Sequence, residues 1–333
     1  MENNGEQVFR SGAKNLKWEN DNMIIKKFNQ NNDYERVIQF LTNCYKENQN
    51  MICWLPERFD DLIFRIDTLY HDERGLEKSS DYIYIFEYND EIVGLIVPDG
   101  DSFNSCIKNG YEKIFSEMVE LSEKELIPLF ERDKDGKVDF LVISHDSLKY
   151  QADELLKRGY KKDEAEDYDN VQHPLEKNYQ ITLPKGYKQV YGEELDENMK
   201  AKACHYGFHP EDDDGILIGT FREGALAYQS RKQSRYYNDS FESLIITDDG
   251  DICTYCFCYV DKNTSTAFIE PVCTREKYRK QGLAKQMLYG VIIRLKEMGI
   301  ENAYVNSYDW RRKVYNSVGF ETEDSIGFWH KKI

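Results

Sequence analysis

Residues 268–299 constrain this chain more than any other stretch. An apolar run breaks at Arg275-Glu276-Lys277, passes through the cationic Arg279-Lys280-Gln281-Gly282, and resumes with helical spacing. β-Branched and apolar residues predominate from 266 to 274, which predicts a buried strand. Leu283, Ala284, Met287, Leu288, Val291, Ile292, Leu295 and Met298 then recur at three- and four-residue steps. They form one apolar face of a 3.6-residue period, and Gly299 marks the helix end. A strand feeding a helix through a short turn leaves backbone N–H groups without acceptors at the positive end of the helix dipole. Such a turn is a site for phosphate or pyrophosphate. Gly282 lets a ligand approach the backbone, and Arg279 and Lys280 add charge.

Arg279, Gly282 and Ala284 match the pattern (Q/R)-x-x-G-x-(G/A), and Glu270-Pro271-Val272-Cys273-Thr274 precedes it. A strand pattern at 303–306 and Tyr315-Asn316-Ser317-Val318-Gly319-Phe320 follow in order. In these landmarks the chain resembles the GNAT superfamily of N-acyltransferases. The resemblance implies an α/β (α+β) fold, a mixed and mainly antiparallel sheet flanked by helices, with acetyl-CoA as cosubstrate, a primary amine as acceptor, and no metal. It implies that Val272, Cys273 and Thr274 bond the pantetheine arm as a neighbouring strand would. Arg279, Lys280, Gln281, Gly282, Leu283, Ala284 and Lys285 would then hold the pyrophosphate. Tyr315 is the implied acid for the leaving thiolate, a phenol of pKa near 10 being able to donate to it. Segment 307–312 lacks the family's frequent Asn, so Asn306 is expected to substitute as a contact to the CoA arm.

Glu270 is the candidate base for the amine, on the strand face of Phe268 and Val272 unless a bulge at Pro271 turns it. A structural carboxylate paired with an Arg is the equal alternative. His205 and His209 sit in a polar stretch as substrate-side candidates, against the commoner reading of surface histidines without a role.

The remaining chain reads as a duplication. Strand, helix, hairpin, helix, strand and helix patterns over 23–160 recur after 179, with Leu155-Leu156-Lys157-Arg158-Gly159-Tyr160 echoing the segment that ends at Phe320. This predicts a flexible tail at 1–22, a degenerate GNAT-like domain at 23–178 and a catalytic GNAT domain at 179–333. The first half has neither the cationic glycine loop nor a tyrosine matching Tyr315, Leu155 standing in its place. That organisation is similar to tandem GNAT proteins of the mycothiol-synthase type. Within the first half, Ser122 and Glu125 read as a capping box that starts a second helix.

A net charge of −17 over 333 residues argues against nucleic acid, whose affinity rests on clustered Lys and Arg, and is compatible with a cationic acceptor, against the commoner reading of a solvated acidic surface that serves solubility. No apolar run reaches membrane-spanning length and the first residues lack a signal core, so a cytoplasmic protein is expected. The eight cysteines are then thiols. Cys253, Cys256 and Cys258 lie in a strand whose alternation sends Cys253 to the opposite face, which favours core thiols over a metal cluster. The 207–238 segment, rich in charge and aromatics, is expected to form much of the acceptor pocket. The rival readings are a non-catalytic acetyl-CoA-binding or interaction module, and transfer of a longer acyl group. Monomer and homodimer stay open.

Overall fold

The computed structural model describes residues 23–66, 79–99, 102–217 and 230–333. In chain order the elements begin β1 (Met23–Lys27), α1 (Gln30–Asn48), α2 (Pro56–Asp61), β2 (Tyr84–Tyr88), β3 (Glu91–Asp99), β4 (Ser102–Ile107), α3 (Phe115–Leu126), β5 (Asp139–His145), α4 (Lys149–Lys157) and β6 (Lys161–His173). They continue with β7 (Tyr187–Tyr191), α5 (Glu197–Phe208), β8 (Ser243–Thr247), β9 (Ile252–Asp261), β10 (Thr266–Thr274), α6 (Leu283–Glu297), β11 (Asn302–Tyr308), α7 (Asp309–Asn316) and β12 (Glu321–Lys332). Two compact units result: Met1–Pro56 with Glu77–Asp167 and Asp324–Ile333, and Glu57–Leu76 with Tyr168–Glu323. The expected tail at 1–22 lies outside the described residues.

In the first unit β1 to β4 pair antiparallel in sequence order, β4 meets β5 in parallel through Ser102↔Leu141 and Phe103↔Val142, and β5 pairs antiparallel with β12. The hairpin between β2 and β3 turns on Asn89 and Asp90, both at positive φ, as a two-residue turn requires. Helix α3 runs unbroken through Ser122, which is buried within it. The capping-box reading there is corrected: Phe115, Met118, Val119, Ser122 and Leu126 form one buried face, and that burial outweighs a local cap signal.

The second unit repeats the plan. Strands β7 to β10 are antiparallel, β10 meets β11 in parallel, and β11 pairs antiparallel with β6. The sixth strand of each unit is thus the one that a simple reading of the duplicated sequence gives to the other half. Helix α5 starts on Asp196, whose side chain accepts from the N–H groups of Asn198 and Met199. Helix α6 buries Leu283, Met287, Leu288, Val291, Ile292 and Leu295 against Cys256, Cys258, Val260, Ala267, Ile269, Ala303 and Val305. Each such side chain contributes about 1.5–3 kcal/mol of apolar burial.

Two register shifts change which faces residues share. Between β8 and β9, Ile245 pairs with Thr254 but Ile246 with Ile252, so Cys253 is bulged and joins Cys256 and Cys258 in one core cluster. The expectation that Cys253 faces away from them is corrected. Among the described residues no group of three His, Cys, Asp or Glu side chains is arranged to hold a metal ion. Between β9 and β10, Ile269 pairs with Cys258 and Val272 with Cys256, which sets Glu270 and Pro271 against Phe257 alone. The bulge puts Val272 on the face of Ile269, and not on that of Phe268 as strict alternation expects.

The turn after β10 is fixed by a buried cation. Arg275, 1% exposed, donates to both carboxylate oxygens of Asp213 at 2.6 and 2.9 Å, to the Asp251 carboxylate, and to the Ile252 carbonyl at 3.1 Å. Tyr278 and Lys277 also bond Asp251. The hydrogen bonds from Arg275 hold the Asp213 carboxyl below its ordinary range. For Asp251, burial acts in the opposite direction, but the bonds from Lys277, Tyr278 and Arg275 prevail and its pKa is also lowered. Arg275→Met should lower the unfolding free energy by about 3 kcal/mol in a urea titration, because Asp213 loses its cation and Asp251 keeps only Lys277 and Tyr278. Carboxylates with depressed folded pKa values stabilise above the ordinary Asp value and lose that contribution as they protonate. The difference between wild type and variant should therefore shrink as pH falls below about 4.

Candidate active site

Strands β10 and β11 pair only through Thr266↔Asn302, Ala267↔Ala303 and Phe268↔Tyr304, although both continue further. Beyond Phe268 no strand among the described residues pairs with β10 on that side, so Val272, Cys273 and Thr274 flank an open slot. At its mouth lies a cavity of about 650 Å³. Ten of the sequence-predicted residues line it: Val272, Cys273 and Thr274 from β10, Arg279, Lys280, Gly282, Leu283, Ala284 and Lys285 from the turn and α6, and Tyr315 from α7.

Arg279, Lys280, Lys285, Arg311 and Lys313 supply five cationic side chains to this lining, and no Asp or Glu belongs to it. In a chain of net charge −17 that concentration marks a place for an anion. The turn presents its backbone to the same space. Lys280 and Gly282 both have positive φ, and α6 begins on Gly282 with no side-chain cap. A Cβ at Gly282 would meet nothing within 4 Å, so glycine is favoured there by its backbone angle and by ligand approach, not by packing. Arg279 has a different task from the expected one: its guanidinium donates to the carbonyls of Thr274 at 3.0 Å and Gly207 at 2.9 Å, tying the turn to β10 and to the end of α5.

The rim is apolar. Trp310 is 70% exposed, and Phe208 and Val314 are exposed beside it, which is where a ligand's uncharged parts would be covered. Tyr315 is buried to 7% exposure with its ring against Phe320, yet it lines the cavity, and its hydroxyl has no hydrogen-bond partner among the described residues. Burial pushes its pKa up, so the phenol stays protonated through the neutral range.

The other predicted residues stand elsewhere. Gln281 accepts from the Tyr187 hydroxyl at 2.9 Å, Asn306 accepts from Arg58 at 3.0 Å, and Glu270 is exposed at the bulge. None of the three lines the cavity. His205 stacks on His209 at 4.6 Å between ring centroids and meets Asp212 at 2.7 Å, also away from the lining. Of the stretch 207–238, Gly207 and Phe208 line the cavity, while 218–229 lies outside the described residues. Sequence reasoning missed Trp310, Arg311, Lys313 and Val314. The three- and four-residue steps from Trp310 to Lys313 and Val314, and from Arg311 to Val314 and Tyr315, on one short helix were the available signal.

The first unit has the same strand geometry with a different filling. Past Phe103 and Val142, where β4 and β5 stop pairing, Gln151 of α4 donates to the Ser105 hydroxyl at 3.1 Å and accepts from the Ser144 hydroxyl at 2.8 Å. Gln151 is 2% exposed, so a side-chain amide occupies the space that the second unit leaves open.

Comparison with known proteins agrees with this geometry. The model of the acetyltransferase (GNAT) family matches residues 216–320. Among solved structures, a GCN5-related N-acetyltransferase from Sphaerobacter thermophilus superposes with a TM-score of 0.60 at 14% identity, covering 93% of this chain and 95% of its own. A tandem GNAT protein from the clavulanic acid biosynthesis pathway gives 0.60 at 12% identity, over 93% and 98% of the two chains. A GNAT-family acetyltransferase from Colwellia psychrerythraea gives 0.54 at 14%, over 92% and 99%. No curated protein matches. Residues 216–320 thus match the model of the GNAT acetyltransferase family, and the chain as a whole has the tandem GNAT fold.

Proposed function

We propose that the chain transfers an acetyl group from acetyl-CoA to a primary amine, with the half spanning 179–333 as the catalytic domain and the half spanning 23–178 as a degenerate copy. The observation that carries this reading is the cavity itself: five cations, a glycine turn at a helix start, an open strand edge and a buried phenol meet in one lining. Main-chain N–H groups of the turn, with Lys280 and Lys285, bind the diphosphate. The pantetheine arm runs along Val272–Thr274 as an added strand, which brings the thioester to the slot where β10 leaves β11. A backbone N–H near Val272 or Cys273 bonds the thioester oxygen and stabilises the tetrahedral oxyanion. The amine attacks the carbonyl carbon, the C–S bond breaks, and the Tyr315 phenol gives its proton to the departing thiolate. Glu270 takes the amine's proton through water, since its position at the bulge lies outside the cavity lining.

Lys280→Glu combined with Gly282→Asp should weaken CoA binding by more than about 100-fold in a protein that still folds, with a melting temperature a few degrees lower from the strained angle at 282, because both changes put negative charge where the diphosphate sits. Unchanged affinity in calorimetry would remove the basis of this reading. Tyr315→Phe should lower turnover by roughly 10- to 10⁴-fold with nearly constant CoA affinity, its proton mattering mainly in the transition state. Thiol release with a panel of amines measures it, and equal turnover would assign Tyr315 to packing. Titration of the intact chain should give one CoA per chain, the Gln151 bridge filling the only other such slot among the described residues. A second equivalent would refute the degenerate reading of the first half.

A further inference from the structure

Cys273 lines the cavity on β10, and Cys204 lies across from it on α5, near enough for its thiol to raise the pKa of Cys273. The two elements approach closely at this point. Gly207, one turn after Cys204 and on the same side of α5, lies so near Cys273 that a Cβ there would come within 2.5 Å of the Cys273 sulfur. Nothing in the proposed chemistry uses either thiol.

We propose that Cys204 and Cys273 form an oxidation-sensitive pair that couples a disulfide to occupancy of the CoA slot. Cys204 is the half-buried partner and meets the oxidant first, while Cys273 is buried and keeps its proton, its pKa raised by the neighbouring Cys204 thiol and by burial. With a peroxide as oxidant, the Cys204 thiolate attacks one peroxide oxygen, the O–O bond breaks, and with one proton the products are a sulfenic acid and water. The Cys273 sulfur then displaces the hydroxyl from the Cys204 sulfur, its own proton leaving with that hydroxyl as a second water. Two thiols and one hydrogen peroxide give one disulfide and two waters.

A disulfide brings its sulfurs to about 2.05 Å, closer than unbonded sulfurs approach, so closure draws β10 toward α5 at Cys273. Arg279, which joins the Thr274 and Gly207 carbonyls, spans the same gap. The segment beside Val272 and Thr274 is therefore displaced relative to the turn. The consequence for CoA rests on the cosubstrate reading given above, whereas the cross-link does not.

Full-length protein is treated with hydrogen peroxide, and its peptides are mapped without reduction. The expected result is a linked Cys204–Cys273 peptide, with CoA affinity by calorimetry lowered at least about fivefold and restored by dithiothreitol. Cys204→Ser should bind CoA as wild type does, form no link and keep its affinity under peroxide. Recovery of Cys273 unlinked while other thiols oxidise overturns the proposal, as does a mixed disulfide of Cys273 with CoA. So does linked protein that binds CoA unchanged, or Cys204→Ser losing affinity under peroxide to the same extent. If the reduced protein binds no CoA at all, the cosubstrate reading fails, and the linked peptide alone then decides whether the thiol pair exists.

Discussion

Strand β10 leaves β11 after three paired residues, and the second unit is built around that separation. A strand edge carries N–H and C=O groups that need partners, and beyond Phe268 the ladder to β11 provides none. The bulge at Glu270 and Pro271 then rotates the strand by one residue, so that Val272 rejoins the face packed by α6 while Cys273 turns toward α5. Every element of the cavity takes its position from this arrangement. The turn starts where β10 ends, α6 packs back across the sheet, and α7 brings Tyr315 over the opening.

The two units show what the same geometry does when it is filled and when it is not. In the first, Gln151 reaches from α4 to the hydroxyls of Ser105 and Ser144, so both strands are joined by a buried amide. An amide with donor and acceptor satisfied is stable in that position, and a ligand that displaced it would have to replace both bonds. In the second, the corresponding helix carries Arg311 and Tyr315, and the opening keeps cationic and phenolic groups instead of a plug. One side chain on one helix thus marks the difference between the bridged strands of the first unit and the unpaired strand edge of the second.

Charge is divided by location as sharply. The chain carries a large negative excess, yet the cavity lining holds five cations and no carboxylate. Two acids near the turn are committed elsewhere, Asp213 and Asp251 surrounding Arg275, and deeper in the unit Glu242 accepts from Lys200, Tyr237 and Tyr255. Carboxylates bound in this way fix the backbone on either side of the turn without facing the ligand space. The lysines are left to face it.

What the sequence determined by itself was local and periodic. The apolar period of α6, the positive-φ glycine before it and the strand at 266–274 follow from residue spacing and backbone sterics, and so did most of the cavity's lining. The fold was legible for the same reason, through landmarks in fixed order. Tertiary structure decided what depends on partners distant in sequence. Arg279 has the residue type of a phosphate ligand, but two carbonyls, one of them 72 positions away, claim its guanidinium. The strand at 161–173 is too charged to read as sheet, and its residues 168–173 are held there by the ladder to β11. Which strand completes which sheet, and on which face a residue lies beyond a bulge, are set by pairing energy summed over the whole sheet, a quantity that no window of neighbouring residues contains.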